Sequence, residues 1–185
     1  CCERIVAIEP TPDQARICRD KRFEVHEEPF ETAQIDFKAN AIASFETIEH
    51  LFSPAEFMLW TFDHLNPGGF VMLTLPNIRG FETMVLGTES GAVDHEHLNY
   101  FSPQSFTALA ERTGYENVSI TTPGKLDVEI VQEALGSGKI KADQLDPFVH
   151  ALVTTENPEI DRAFQDLIQK ANLSSNMLVL AQKPS

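Results

Sequence analysis

The sequence predicts an α/β fold in which a mostly parallel sheet carries helices on both faces. Two observations support that expectation. Short apolar runs of strand length alternate with longer helical patterns. Three helices also open on the same grammar, a Ser or Thr followed by Pro, at Thr11-Pro12, Ser53-Pro54 and Ser102-Pro103. In that grammar the hydroxyl residue serves as N-cap and the proline takes the first helical position. A chain of 185 residues is expected to be one domain. Its expected parts are a core over 1–123, a helical insertion at 124–157, and a closing helix and strand in 158–185.

The elements follow in order. Residues 4–8 form a buried-strand candidate through Ile5, Val6 and Ile8, ending at Glu9-Pro10. A helix starts at Thr11, with Gln14 placed to complete a capping box. A second strand spans 23–26, a polar connection 27–38, and a third strand 41–45. The cluster Glu46-x-x-Glu49-His50 leads into a helix over 54–65, with Met58, Phe62 and Leu65 on one stripe. An Asn66-Pro67-Gly68-Gly69 turn delivers the fourth strand, 70–75. Residues 78–99 form a long, glycine-bearing polar connection, of a length that marks functional or mobile loops. A helix over 103–112 turns Phe106, Leu109 and Ala110 inward and stops near Gly114. A strand follows at 118–122. The looser helical stretch 124–157 suits a lid or an oligomer contact such as a homodimer interface. A helix at 159–171 and a strand at 177–181 close the chain.

Composition excludes several partners. The formal net charge of -14 repels phosphate backbones and anionic lipid. The densest basic patch, Arg16, Arg19, Lys21 and Arg22, reads as the solvated end of a helix. No apolar run approaches the roughly 20 residues needed to span a bilayer. The expected partner is therefore a small molecule, not nucleic acid or membrane. The three cysteines, Cys1, Cys2 and Cys18, give neither a disulfide framework nor a zinc spacing. A reducing, cytoplasmic setting is expected.

Three groups of residues could carry chemistry. Glu9 ends an apolar strand before a helix, where an acid can accept hydrogen bonds from ribose hydroxyls or simply answer a helix dipole. In the second group, a helix starting at Glu46 would bring Glu46, Glu49 and His50 onto one face. Two carboxylates and an imidazole suit a divalent cation such as magnesium or manganese. The third is Asp94-His95-Glu96-His97, in the long connection after the fourth strand, which should return over the strand ends. One of its two imidazoles, His95 or His97, would join the first cluster.

The segments VAIEPTPDQARICR, AIASFETIEHL, LNPGGFVMLTLPN and HLNYFSPQSFTALAERTGY resemble a class I S-adenosylmethionine-dependent methyltransferase. The resemblance is to the broad bacterial group that includes ubiquinone-biosynthesis O-methyltransferases. It covers most of residues 5–115 and implies a Rossmann-like sheet and O-methylation of a small metabolite or sugar. By resemblance, Glu9 would bind the cofactor ribose, Glu28 or Glu31 would lie near the adenine, and Phe45 would line the cofactor pocket. The Glu-x-x-Glu-His pattern is also similar to that of small-RNA 2′-O-methyltransferases. This implies a magnesium site formed by Glu46, Glu49, His50 and His97, with His95 as the alternative. His50 or His97 would otherwise act as general base. Two departures stand out. The family's glycine-rich loop, upstream of Glu9, does not fall within the sequence, so the expectation is an N-terminally truncated domain lacking its first strand. Asn40 also stands where an Asp is usual. The second reading is a non-catalytic binding or assembly module that keeps the fold. A nicotinamide oxidoreductase ranks last, because it gives the Glu-His-Leu and Pro-Gly-Gly segments no role.

Overall fold

The computed structural model describes residues 3–155 and 157–185. Cys1 and Cys2 lie outside the described residues, as does Glu156 within the 124–157 stretch. The chain divides into two units, one ending at Lys38 and the other comprising Ala39–Ser185. The first holds strand β1 (Val6–Ile8), helix α1 (Pro12–Asp20) and strand β2 (Glu24–His26). β1 and β2 pair in parallel through α1, so this unit is a small βαβ repeat. Arg4 fixes the register from outside, with its guanidinium forked onto Glu24 at 2.8 and 3.0 Å. The expected Thr11 capping box does not form: Thr11 makes no side-chain cap. Glu9 takes that place, its Oε1 accepting from the Thr11 amide at 2.9 Å.

The second unit is built on four strands: β3 (Ala39–Phe45), β4 (Leu65–Pro76), β5 (Glu116–Thr121) and β6 (Asn176–Gln182), in the spatial order β3-β4-β6-β5. The sheet is mixed, which corrects the mostly parallel expectation. β3 and β4 run parallel, whereas β6 is antiparallel to both β4 and β5. The reason lies at the entry to β6. The Asn77 amide donates to Ser175 O at 2.8 Å, so β6 starts where β4 ends and must run back. Alternate residues of β4 and β6 pair across the ladder, Leu73 with Val179 and Leu75 with Met177. All four are essentially fully buried, which is the period-two pattern of a strand with one face in the core.

Helix α2 (Pro54–Asp63) connects β3 to β4, and helix α4 (Pro103–Arg112) precedes β5, with helix α3 (Phe81–Leu86) between them in the chain. The 78–99 segment is thus not loop throughout. The reciprocal capping box forms at Ser102, where no acid stands at the third position: the Ser105 hydroxyl accepts from the Ser102 amide at 2.9 Å, and the Ser105 amide donates to Ser102 Oγ at 3.3 Å. The serine hydroxyl can stand in for an acid because its oxygen also accepts. Residues 124–157 contribute helices α5 (Asp127–Gly136) and α6 (Pro147–Val153), and α7 (Pro158–Lys170) leads to β6. Val128, Val131 and Ala134 of α5, Val153 of α6 and Ile168 of α7 form one apolar cluster with Phe81 and Leu86 of α3. The stretch read as an insertion therefore shares a core with the helices before and after it.

Tyr115 is buried beneath α2, its hydroxyl 2.9 Å from Thr61 Oγ1. Burial pushes its phenol up to about 12. Among the described residues, no helix is long and apolar enough to cross a membrane, and Cys18 is a free thiol.

Candidate active site

β3 ends at Phe45, whose ring is 57% exposed. The next residue, Glu46, adopts a left-handed backbone with φ 47°. That conformation costs a non-glycine residue about 1–2 kcal/mol and tends to gather at functional sites. It is held by the Glu46 amide on Thr74 O (2.9 Å) and the Thr47 hydroxyl on Phe45 O (3.0 Å). Past this kink the chain makes a single 3-10 turn, Ile48–His50, in place of the helical face expected for Glu46, Glu49 and His50. The kink sends Glu46 away from the other two, and its Oε1 accepts from Asn176 Nδ2 at 3.1 Å. The turn buries Ile48 and Glu49 and leaves His50 partly exposed.

The second arm comes from the segment before α4. Asn99 fastens it to the first. Its amide donates to Glu49 O at 3.0 Å, and its side chain donates to Leu51 O at 2.6 Å. Asp94 shapes the turn by accepting from the Glu96 amide (2.9 Å), which holds its carboxyl below the usual carboxylate range. His97 folds inward with Nδ1 on Ala92 O at 2.8 Å. His95 is 88% exposed and pairs with Asp94. Of the two candidate imidazoles, the structure brings His97 to the cluster and leaves His95 in solvent. Glu49, His50 and His97 each place a ligand-type atom within 4.8 Å of the others. The two rings meet edge to face, with centroids 4.7 Å apart.

The hydrogen bonds around the rings assign their tautomers. His50 Nδ1 lies 3.0 Å from Glu96 O and His97 Nδ1 2.8 Å from Ala92 O. A carbonyl only accepts, so each neutral ring carries its proton on Nδ1 and keeps a lone pair on Nε2. Both carboxylate oxygens of Glu49 are buried and have no hydrogen-bond partner among the described residues. Burial pushes the Glu49 carboxyl above its usual range, opposed most by its own backbone N–H; the Glu46 charge adds to the rise, and the two imidazoles pull against it. The cluster is thus made of acceptor atoms with no donor between them. That donor set fits a cation, and backbone carbonyls orient both imidazoles as outer-shell partners do in metal sites. His97 also lines a cavity of about 430 Å³, together with Glu46 and Asn176.

In the first unit, Glu9 stands just past β1, its amide on His26 O at 2.9 Å. Glu28 lies two residues past β2, its Oε1 3.9 Å from His26 Nδ1. Both acids therefore follow the ends of parallel strands, the position open α/β sheets give to ligand-binding residues. Glu31 is exposed on the polar connection. Reading the sequence alone does not find Asn99 or Asn176. Asn99 sits inside a recognisable His-Leu-Asn segment, but Asn176 reaches Glu46 across 130 residues and carries no local signal.

A family model described as "Methyltransferase domain" matches residues 1–120. No curated protein matches the sequence. Among solved structures, the chain is similar to an S-adenosylmethionine-dependent methyltransferase from Archaeoglobus fulgidus. That match has 16% identity and a TM-score of 0.60, covering 96% of this chain and 75% of the other. A methyltransferase of the same dependence from Thermotoga maritima gives 13% identity and a TM-score of 0.63, over 97% and 72%. Phosphoethanolamine N-methyltransferase 2 of Haemonchus contortus, solved with S-adenosyl-L-methionine, gives 12% and 0.50, over 98% and 49%.

Proposed function

Because this chain belongs to the methyltransferase-domain family, we propose that it serves an S-adenosylmethionine-dependent O-methyltransferase, as in the ubiquinone-biosynthesis group, acting on a small hydroxylated metabolite. The observation that carries the oxygen-directed part is the donor-free group of Glu49, His50 and His97 beside a cavity. An acceptor hydroxyl is the donor that such a group lacks.

The chain's own residues divide the work. Glu9 would accept from the cofactor's ribose hydroxyls, with its Oε1 oriented by the Thr11 amide. Glu28 would lie near the adenine, and the exposed ring of Phe45 would pack on the cofactor. The bound cofactor supplies an electrophilic methyl group on a sulfonium. His50 and His97 each offer an Nε2 lone pair that can take the proton of the acceptor hydroxyl as it becomes a nucleophile. Positioning of the hydroxyl supplies much of the remaining rate.

The same atoms would hold a divalent cation: Glu49 through its carboxylate, His50 and His97 through Nε2. Two imidazoles and one carboxylate suit a first-row transition-metal ion, manganese among them, better than magnesium, which prefers oxygen and keeps its water. Such an ion would lower the pKa of a bound hydroxyl. A lone pair cannot both ligate and accept a proton, so loss of activity on chelation, restored by manganese, distinguishes the metal-assisted form from the general-base form. The methyl-transfer reading is tested by isothermal titration of the full-length protein with S-adenosylmethionine. One-to-one binding, weakened about tenfold or more by Glu9→Ala, is expected. Absence of binding would remove the reading.

A further inference from the structure

His97 belongs both to the cluster and to the wall of the 430 Å³ cavity. A volume of that order suits a small-molecule ligand. Three carboxylates and one ammonium line the cavity: Glu46, Glu82, Asp127 and Lys125. Two of the carboxylates are already engaged. Glu82 accepts from Ser90 at 3.1 Å and Thr83 at 3.3 Å. Asp127 accepts from Ser174 Oγ at 2.6 Å, the Ser175 amide at 2.7 Å and Gln165 Nε2 at 2.8 Å. Both are buried and fasten the cavity walls. Glu46 differs. It is exposed, although like Glu82 it has one oxygen engaged among the described residues, its Oε1 by Asn176 Nδ2. Glu46 Oε2 and Asn176 Oδ1 are open acceptors on one cavity. The same cavity presents two apolar side chains to solvent, Leu126 and Ile130.

We propose that this cavity is the acceptor pocket and that it takes an uncharged polyhydroxylated molecule of monosaccharide type. Open acceptors without matching donors ask for a ligand that brings hydroxyl donors. The excess of carboxylate over ammonium opposes a carboxylate or phosphate on the ligand. A cation bound by Glu49, His50 and His97 opposes an ammonium. Leu126 and Ile130 give the C–H face of a sugar ring an apolar surface. The acceptor role and the exclusion of an ammonium rest on the proposed methyl transfer and its cation, whereas the recognition of a polyol without an anionic group rests on the cavity alone.

The experiment is a ¹H–¹⁵N NMR titration of the full-length protein with D-glucose, L-rhamnose, D-glucosamine, D-glucuronate and D-glucose 6-phosphate, with S-adenosylmethionine binding measured on the same samples. At least one neutral sugar is expected to shift the Glu46, Ile130 and Asn176 amides saturably, at least tenfold more tightly than the charged sugars. Glu46→Gln is expected to weaken that binding about tenfold. Its carbonyl still accepts from Asn176, which turns an amide donor toward the ligand where an acceptor stood. Ile130→Glu, on the apolar side, is expected to do the same, with spectral dispersion showing that both variants are folded. Tighter binding of a charged sugar overturns the proposal, as does neutral-sugar binding unaffected in both folded variants. If S-adenosylmethionine binds and no neutral sugar does, the pocket inference fails while the methyl-transfer reading stands. If a neutral sugar binds at these residues and S-adenosylmethionine does not, the methyl-transfer reading fails while the pocket inference holds.

Discussion

Replacing Glu49 with Gln should make the metal-free protein more stable. Both Glu49 oxygens are buried without a partner, and they face the lone pairs of His50 and His97. Gln keeps the volume and removes the charge. Its amide also brings two donors to a group that has none, with His50 Nε2 already 3.9 Å from Glu49 Oε1. Relieving one unsatisfied buried polar group is worth about 1–3 kcal/mol. Taking about 2 kcal/mol, a domain of this size should melt roughly 4–8 °C higher. The pH dependence follows from the raised Glu49 carboxyl. The folded state holds this proton more tightly than the unfolded chain does. Wild-type stability should therefore fall as pH rises from the ordinary carboxyl value of 4.5 through the raised one. Glu49→Gln lacks that slope, so the gap between the two proteins widens toward neutral pH. Manganese should reverse the order, because at a hundred times its dissociation constant an ion adds about 2.7 kcal/mol to the protein that binds it. The assay is thermal unfolding by circular dichroism, with chelator or manganese, from pH 4 to 8. A variant that melts at or below the wild type in chelator at pH 7.5 would refute the reasoning.

Other outcomes follow from the same geometry. Asn99→Ala removes the side-chain bond to Leu51 O that ties the His97 arm to the Glu49 turn. It should lower the melting temperature by roughly 1–6 °C, at about 0.5–1.5 kcal/mol for the bond, and weaken manganese binding about tenfold or more by titration. Gly80→Ala places a Cβ against the Ser175 backbone at the entry to β6. Overpacking against backbone should cost about 1–3 kcal/mol or more, read as a lower urea midpoint. Glu46→Gln should reduce neutral-sugar binding about tenfold while leaving manganese binding in place, since Glu46 stands outside the three-residue cluster.

Much of this organisation is legible locally. Ser53 and Ser102 announce their helices because an N-cap and a following proline act within four residues, and both caps form. The apolar run at 70–75 behind Pro67-Gly68-Gly69 announces β4, whose burial at every second residue only the structure shows. The direction of β6 is not legible in this way. It depends on Asn77 meeting Ser175, a contact nearly a hundred residues apart, and nothing within 176–182 states which way the strand runs. The site divides along the same line. Glu49 and His50 are adjacent in sequence and stay together in space. Sequence leaves His95 and His97 open, because the choice depends on a turn closed by Ala92 O and Asp94. Glu46 looks like a third ligand by spacing alone. It is diverted by a left-handed backbone that no glycine signals and by a partner from the far end of the chain.

The central claim is that methyl transfer takes place at the group formed by Glu49, His50 and His97. Its most direct test is S-adenosylhomocysteine formation, followed by mass spectrometry, with the full-length protein, S-adenosylmethionine and a panel of hydroxylated acceptors. The wild type should form product with at least one acceptor. His97→Ala should lose a hundredfold or more of that rate, in the range expected for a positioned acid or base, with S-adenosylmethionine affinity unchanged. Turnover by His97→Ala at the wild-type rate would contradict the account.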